Sequence, residues 1–225
     1  MALLVALLLI IVAYPIASES LASRLLYDVL LTVVFLAAFW VLFTQRRHRL
    51  AALLLGLPTL VGIWTGYVLP DLARLPVAVA FHVLASLFLG LTIVVILRDV
   101  FRTQDVSADT IAGALCGYLL VGMVFGDLYC VVALTRAGSF HGTAEPVAIV
   151  LDGSELHHVL TYFSFMTLTT VGYGDILPAS PSARGFAIVE AVVGQFYLAV
   201  LIAGLVGKHI TQAISREPFD ERRQR

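Results

Sequence analysis

Charge is scarce in this chain. Of 225 residues, 13% are Asp, Glu, Lys or Arg and 60% are hydrophobic, with a mean hydropathy of +0.97. A soluble domain of this length has too little interior to hide so much apolar surface, so the composition reads as an integral membrane protein. The net charge of −1 comes with no basic helix or stripe, which removes the footprint of a nucleic-acid binder. Cysteine is nearly absent: Cys116 and Cys130 lie fourteen positions apart in one predicted helix. At about 1.5 Å per residue they stand roughly 20 Å apart, too far for a disulfide within one chain. They read as small hydrophobes facing lipid or a neighbouring helix. Also missing is any constellation suited to catalysis. No span carries paired carboxylates, no metal-ligand cluster is visible, and no nucleophile has a base beside it. The expectation is a protein that is not an enzyme and takes no cofactor.

What the chain does have is long apolar runs. Six are expected to cross: Met1 to Ile16, Leu26 to Phe43, Leu50 to Leu69, Val77 to Leu97, Thr110 to Leu134, and Gly185 to Lys208. Each is near the ~20 residues a bilayer requires. The first lacks the basic flank and cleavage context of a signal peptide and reads as a span. Pro15, Pro58, Pro70 and Pro76 fall near ends or kinks, which membrane helices tolerate. Arg46, Arg47 and Arg49 crowd the link between spans two and three, Arg98 and Arg102 follow span four, and Lys208, Arg216, Arg222, Arg223 and Arg225 follow span six. Arg24, Arg74, Arg136 and Arg184 are all that the opposite side offers. The positive-inside bias places both termini in the cytoplasm of a multi-pass cell-membrane protein. Between spans five and six, residues Thr135 to Gly153 have loop composition, and Glu155 to Leu168 reads as a helix too short to cross. It is expected to enter from outside and stop halfway, with Glu155 near its positive end. Asp109 or Ser107 is the expected N-cap of span five. Arg98 to Asp105 is read as a short interfacial helix or a solvated loop.

That short helix ends at Thr169-Thr170-Val171-Gly172-Tyr173-Gly174-Asp175. The stretch has no nucleophile and little to pack. It offers main-chain carbonyls, and two alternating glycines free to take angles that a Cβ disfavours. Residues 170 to 175, placed between two apolar spans, resemble the signature of the bacterial potassium channel family, and the resemblance extends from about Thr110 to Gly207. It implies an all-α membrane protein of six transmembrane helices, with a re-entrant pore helix and filter loop between the fifth and sixth. It also implies passive potassium conduction and a homotetramer, because one chain carries one copy of the filter. On this reading residues 1–104 form a four-helix domain, 105–208 the pore domain, and 209–225 a short tail with no room for a regulatory domain.

Residue roles derive from the same resemblance. Thr170, Val171, Gly172 and Tyr173 are expected to bind K+ through their carbonyls, Thr170 adding its hydroxyl, while Gly174 permits the outer turn. Asp175 stands behind the filter. Tyr162 is expected to reach towards Asp175, Phe163 to pack beside Tyr173, and Thr169 to face the filter's rear. Gly194 takes the place of a hinge glycine or else allows close packing. Gln195 is expected to face a wet cavity, with Leu198, Ile202 and Val206 as an apolar gate. Voltage-gated members of the family repeat arginine along the fourth span. Here that span has none before Arg98, so no voltage sensor of that kind is expected. His82 is read as a packed, hydrogen-bonded residue, and His157 and His158 as exposed or capping residues near the outer mouth. The rival reading is a transport subunit of an active uptake system, which the single repeat and intact signature disfavour.

Overall fold

The computed structural model describes residues 1–13, 21–65, 67, 71–103, 107–142 and 153–216. Pro15, Pro70, most of the loop before Gly153 (143–152) and residues 217–225 lie outside these. So do the side chains of Arg74, Glu155, Val206, Lys208 and Arg216. The helices are α1 (Ala2–Ala13), α2 (Leu21–Thr44), α3 (Arg49–Thr65), α4 (Asp71–Arg102), α5 (Ala108–Thr135), α6 (Gly153–Leu168) and α7 (Pro181–Arg216). Two short strands, β1 (Phe140–Gly142) and β2 (Ile176–Pro178), complete the described chain. Among the described residues four helices are long and apolar enough to cross a membrane: α2 from Arg24, α4 from Leu75, the whole of α5, and α7 as far as Gly204. The apolar α1 and α3 are shorter.

Helix boundaries reflect local chemistry. Ser107 caps α5, its hydroxyl accepting from the Thr110 N–H at 3.2 Å. Ser180 does the same for α7, accepting from Ala183 N–H at 3.2 Å, with Pro181 at the first helical position. The helix therefore starts four residues before the apolar run that marks it in sequence. Residues 98 to 102 prolong α4 rather than forming a separate interfacial helix. Within α3 the turns widen to a π-type segment over Ala52–Gly56. It lies just before Pro58, which has no N–H to give the carbonyl four residues back.

The antiparallel pair β1–β2, three residues a side, is a small addition to a mostly helical chain. Phe140 faces Pro178 and Gly142 faces Ile176. The Ser139 carbonyl also accepts from the Ala179 and Ser180 amides at 2.8 and 3.3 Å. This tether clamps the segment after residue 175 to the turn at the end of α5. No apolar periodicity marks strands this short.

A core of Leu7, Phe35, Leu42, Phe88, Leu89 and Leu120 joins α1, α2, α4 and α5. A second, of Tyr129, Phe140, Leu156, Leu160, Phe163 and Leu168, joins α5 to α6 and the strand pair. Gly122 and Gly126 bring α6 close against α5. A Cβ on Gly122 lies 2.7 Å from the Phe165 ring, and one on Gly126 lies 3.0 Å from the Thr161 Cα. At one end of the bundle the Gln45 amide donates to Asp99 at 2.9 Å, so the arginine-rich turn after α2 sits beside the end of α4. At the other end Tyr67 donates to Asp28 at 2.5 Å.

Candidate functional site: the loop that ends the short helix

Helix α6 stops in a hydrogen-bonded motif that shapes the loop beyond it. Thr170 N–H donates to the Thr167 carbonyl at 3.0 Å, and Val171 N–H to the Met166 carbonyl at 3.0 Å. These are the two bonds of a Schellman cap, whose key residue is left-handed. That residue is Thr170, with φ of 60°, where glycine is usual. A β-branched residue in this region is strained by roughly 1–2 kcal/mol, so the surroundings must enforce it. Gly172 N–H also donates to Met166, at 3.1 Å, and Thr169 N–H to Phe165 at 3.0 Å. Gly172 and Gly174 are left-handed as well, at φ of 54° and 77°.

The pattern at 170, 172 and 174 is strict alternation. An extended strand points successive carbonyls to opposite sides. Alternating left- and right-handed residues removes that reversal and lets neighbouring carbonyls share a direction. The amides of 169 to 172 are held behind by α6 carbonyls. Among the described residues no hydrogen bond is donated to the carbonyls of 170 to 174. The segment thus keeps its first four donors occupied and its acceptors available. It is also bare: Val171 is 49% exposed and Tyr173 72% exposed in the single chain.

The surroundings match the sequence expectations in part. Tyr162 donates to Asp175 at 2.8 Å, so these two residues meet. Thr169 turns its hydroxyl back to the Phe165 carbonyl at 2.6 Å. Among the described residues no ring contact joins Phe163 to Tyr173 of the same chain. Phe163 packs edge-on against Tyr129 and Phe140, with ring centroids at 5.0 and 5.5 Å, because the strand pair supplies an aromatic wall on that side. Gly194 of α7 lies directly behind α6, where a Cβ would stand 2.6 Å from the Leu168 carbonyl oxygen. Gln195, Leu198 and Ile202 lie exposed along α7, and the Val206 side chain lies outside the described residues.

Two buried groups escaped the sequence reading. Glu190 of α7 is fully buried, accepting from the Tyr129 hydroxyl of α5 at 2.5 Å and from the Ser164 hydroxyl of α6. Ser164 also reaches the Gly122 carbonyl at 2.6 Å. One carboxyl therefore ties three helices together behind the loop. Asp127 of α5 is 1% exposed and meets His82 and His157. Its presence overturns the expectation that the chain has no metal-ligand cluster, since His82, Asp127 and His157 bring three ligand atoms within 4.8 Å. It also corrects the expectation for the two histidines of α6: His157 and His158 are buried, because the end of α6 is covered by α2. The available signal was an acidic residue inside an otherwise apolar span, which is costly in lipid and rarely idle.

Comparison with known proteins agrees with this geometry. The family model described as "Ion channel" matches residues 158–209, from α6 through the loop and along α7. "Two pore potassium channel c" of Oryza sativa is 31% identical over 117 residues, covering 49% of this chain and 23% of the rice protein. "Two-pore potassium channel 5" of Arabidopsis thaliana is 41% identical over 57 residues, covering 24% of this chain and 14% of that protein. The chain thus spans less than a quarter of the length of either plant relative. "Protein LctB" of Bacillus caldotenax is 30% identical over 127 residues, covering 53% of this chain and 92% of its own length. No solved structure matches. With one relative aligned over nearly its whole length, and the loop with its flanking helices matched by the channel model, this chain belongs to the ion-channel family.

Proposed function

We propose that the chain is one protomer of a homotetrameric potassium channel that conducts K+ passively across the cell membrane. The observation that carries this reading is the backbone alternation at Thr170, Gly172 and Gly174, with the neighbouring amides held by α6 and the carbonyls left available. Four such segments around one axis make stacked oxygen cages in which Thr170, Val171, Gly172 and Tyr173 replace the ion's water. Asp175 and Tyr162 brace the loop from outside, with Gly174 making the outer turn and Thr169 the inner one. The negative C-terminal ends of four α6 helices favour a cation at the cavity.

The tetramer is supported by the surface that the single chain leaves bare. Ile188, Val189, Val192, Phe196 and Ile202 are exposed along α7, and Val171 and Tyr173 along the loop. On this reading Gln195 faces the water-filled cavity, and Leu198, Ile202 and Val206 narrow below it as a gate. Gly194 lets α7 bend or lie close to α6. The short helices α1 and α3 complete a six-span layout in which α6 is re-entrant. Residues 1–104 then form a four-helix domain without a voltage sensor, 105–208 the pore domain and 209–225 the tail. The basic residues gathered near Gln45 and Asp99 support a reading in which that end, and both termini, face the cytoplasm.

The test is flux from liposomes containing the purified protein. Potassium and rubidium are expected to pass and sodium to be excluded, from a particle with the mass of four chains. Gly172→Ala is the informative variant: its Cβ meets nothing within 4 Å, yet it must hold φ of 54°. It is expected to assemble and lose flux. Equal passage of sodium, or a stable monomer, overturns the reading.

A further inference from the structure

The polar cluster around Asp127 lies outside the filter and has no role in the proposed conduction pathway. It gathers side chains from four helices. His82 of α4 places Nδ1 2.7 Å from Asp127 Oδ1, and His157 of α6 places Nε2 3.3 Å from the same oxygen. All three ligand atoms lie within 4.8 Å of one another. Around a tetrahedral zinc, ligand atoms at about 2.0–2.1 Å from the metal stand roughly 3.3 Å apart, so small ring rotations suffice to close the site. His82, Asp127 and His157 are 4%, 1% and 4% exposed.

Three further observations distinguish this cluster from an ordinary buried ion pair. Asp127 Oδ2 is buried without a hydrogen-bond partner among the described residues, although an unmet carboxylate oxygen in this setting is costly. The Tyr27 hydroxyl of α2 lies 3.0 Å from His157 Nδ1, the ring nitrogen that would not bind metal. A metal-bound histidine commonly gives that second N–H to an oxygen, which fixes the ring and raises its basicity. Finally, two neutral imidazoles and one carboxylate leave a divalent ion only one net positive charge. That burial is milder than the burial of the free ion. Thr161 Oγ1, 3.5 Å from His157 Nε2, adds an oxygen at the edge of the site.

We propose that His82, Asp127 and His157 form an intramembrane site for a divalent transition metal of the zinc class. His82 binds through Nδ1, His157 through Nε2 and Asp127 through its carboxylate, with water or Thr161 completing the shell. Occupancy cross-links α4 to α5 and α6, and so ties the amino-terminal helices to the helix that carries the filter.

The experiment titrates Co2+ into the full-length protein in detergent after chelator stripping. One cobalt per chain is expected, with the intense visible bands of a four-coordinate site, displaced by Zn2+. His82→Asn and His157→Gln keep a hydrogen-bond donor towards Asp127 but remove the imidazole lone pair. Each is expected to weaken cobalt binding by at least roughly tenfold while the particle's mass is unchanged. Tyr27→Phe removes only the supporting hydroxyl and is expected to weaken binding by about tenfold or less. It serves as the folded control if a ligand variant fails to assemble. His141→Ala, on exposed β1, is expected to change nothing. Weak six-coordinate bands in the unaltered protein, or binding that survives the His82→Asn, His157→Gln double variant, overturns the site and leaves a hydrogen-bonded ion pair. Neither readout depends on ion flux.

Discussion

Glu190 is the residue that holds α5, α6 and α7 together behind the loop at 169–175. Its two oxygens accept hydroxyl hydrogens from Tyr129 and Ser164, each on a different helix, and the side chain is sealed from solvent. Removing it strands the Tyr129 hydroxyl in an apolar wall, while Ser164 keeps the Gly122 carbonyl. Leaving a buried polar group unmet costs about 1–3 kcal/mol, so Glu190→Ala is expected to lower the melting temperature of the assembled protein clearly. Glu190→Gln retains a carbonyl for one hydroxyl and an amide to which the other can turn its lone pair, and is expected to cost less. Thermal unfolding monitored by circular dichroism ranks the two. If glutamine is as harmful as alanine, charge matters more than the count of acceptors.

Elements here are positioned by close approach. Helix α7 passes so near the end of α6 that a single methyl group at position 194 would meet the Leu168 carbonyl oxygen at 2.6 Å. That carbonyl also accepts from the Tyr118 hydroxyl of α5 at 3.3 Å, so it is held from two sides. Gly194→Ala must push α7 away or tilt α6, a strain of about 1–3 kcal/mol. Lost or sharply reduced potassium flux is expected, measured beside Gly185→Ala, whose Cβ meets nothing within 4 Å and which is expected to conduct normally. Normal flux in both would leave Gly194 no packing role. The position of this glycine was legible in the sequence by its distance from Asp175. Its purpose was not, because the neighbour that crowds it lies twenty-six positions away and belongs to another helix. The start of α7 was legible in principle from Ser180-Pro181, a cap followed by a proline, but the apolar run alone points four residues too late.

At the scale of the whole molecule, charge and burial sort themselves along the bundle. The arginine-rich turn after α2 meets the end of α4 through Gln45 and Asp99, whereas Arg136 stands at the end of α5, close to the strand pair that tethers the segment after residue 175. Both native cysteines are buried, so introduced ones can be read separately. In intact cells a membrane-impermeant maleimide is expected to label Arg136→Cys and to miss Arg47→Cys and Arg102→Cys until the membrane is opened. Labelling of Arg47→Cys in intact cells would reverse the proposed orientation.

Composition alone determined that this chain belongs in lipid, since 60% apolar residues leave no soluble alternative, and the spacing of its arginines oriented the expectation. The loop at 169–175 was legible because its signal is local: the resemblance rests on consecutive residues, and glycines two apart are free to take the left-handed angles the loop needs. The buried Asp127 and Glu190, the burial of His157 and His158, and the tether between Phe140–Gly142 and Ile176–Pro178 were decided only in three dimensions. Each depends on partners tens of residues away on separate elements. The free energy of a buried carboxylate is set by which hydroxyls and imidazoles surround it, and no stretch of sequence around position 127 or 190 holds that information.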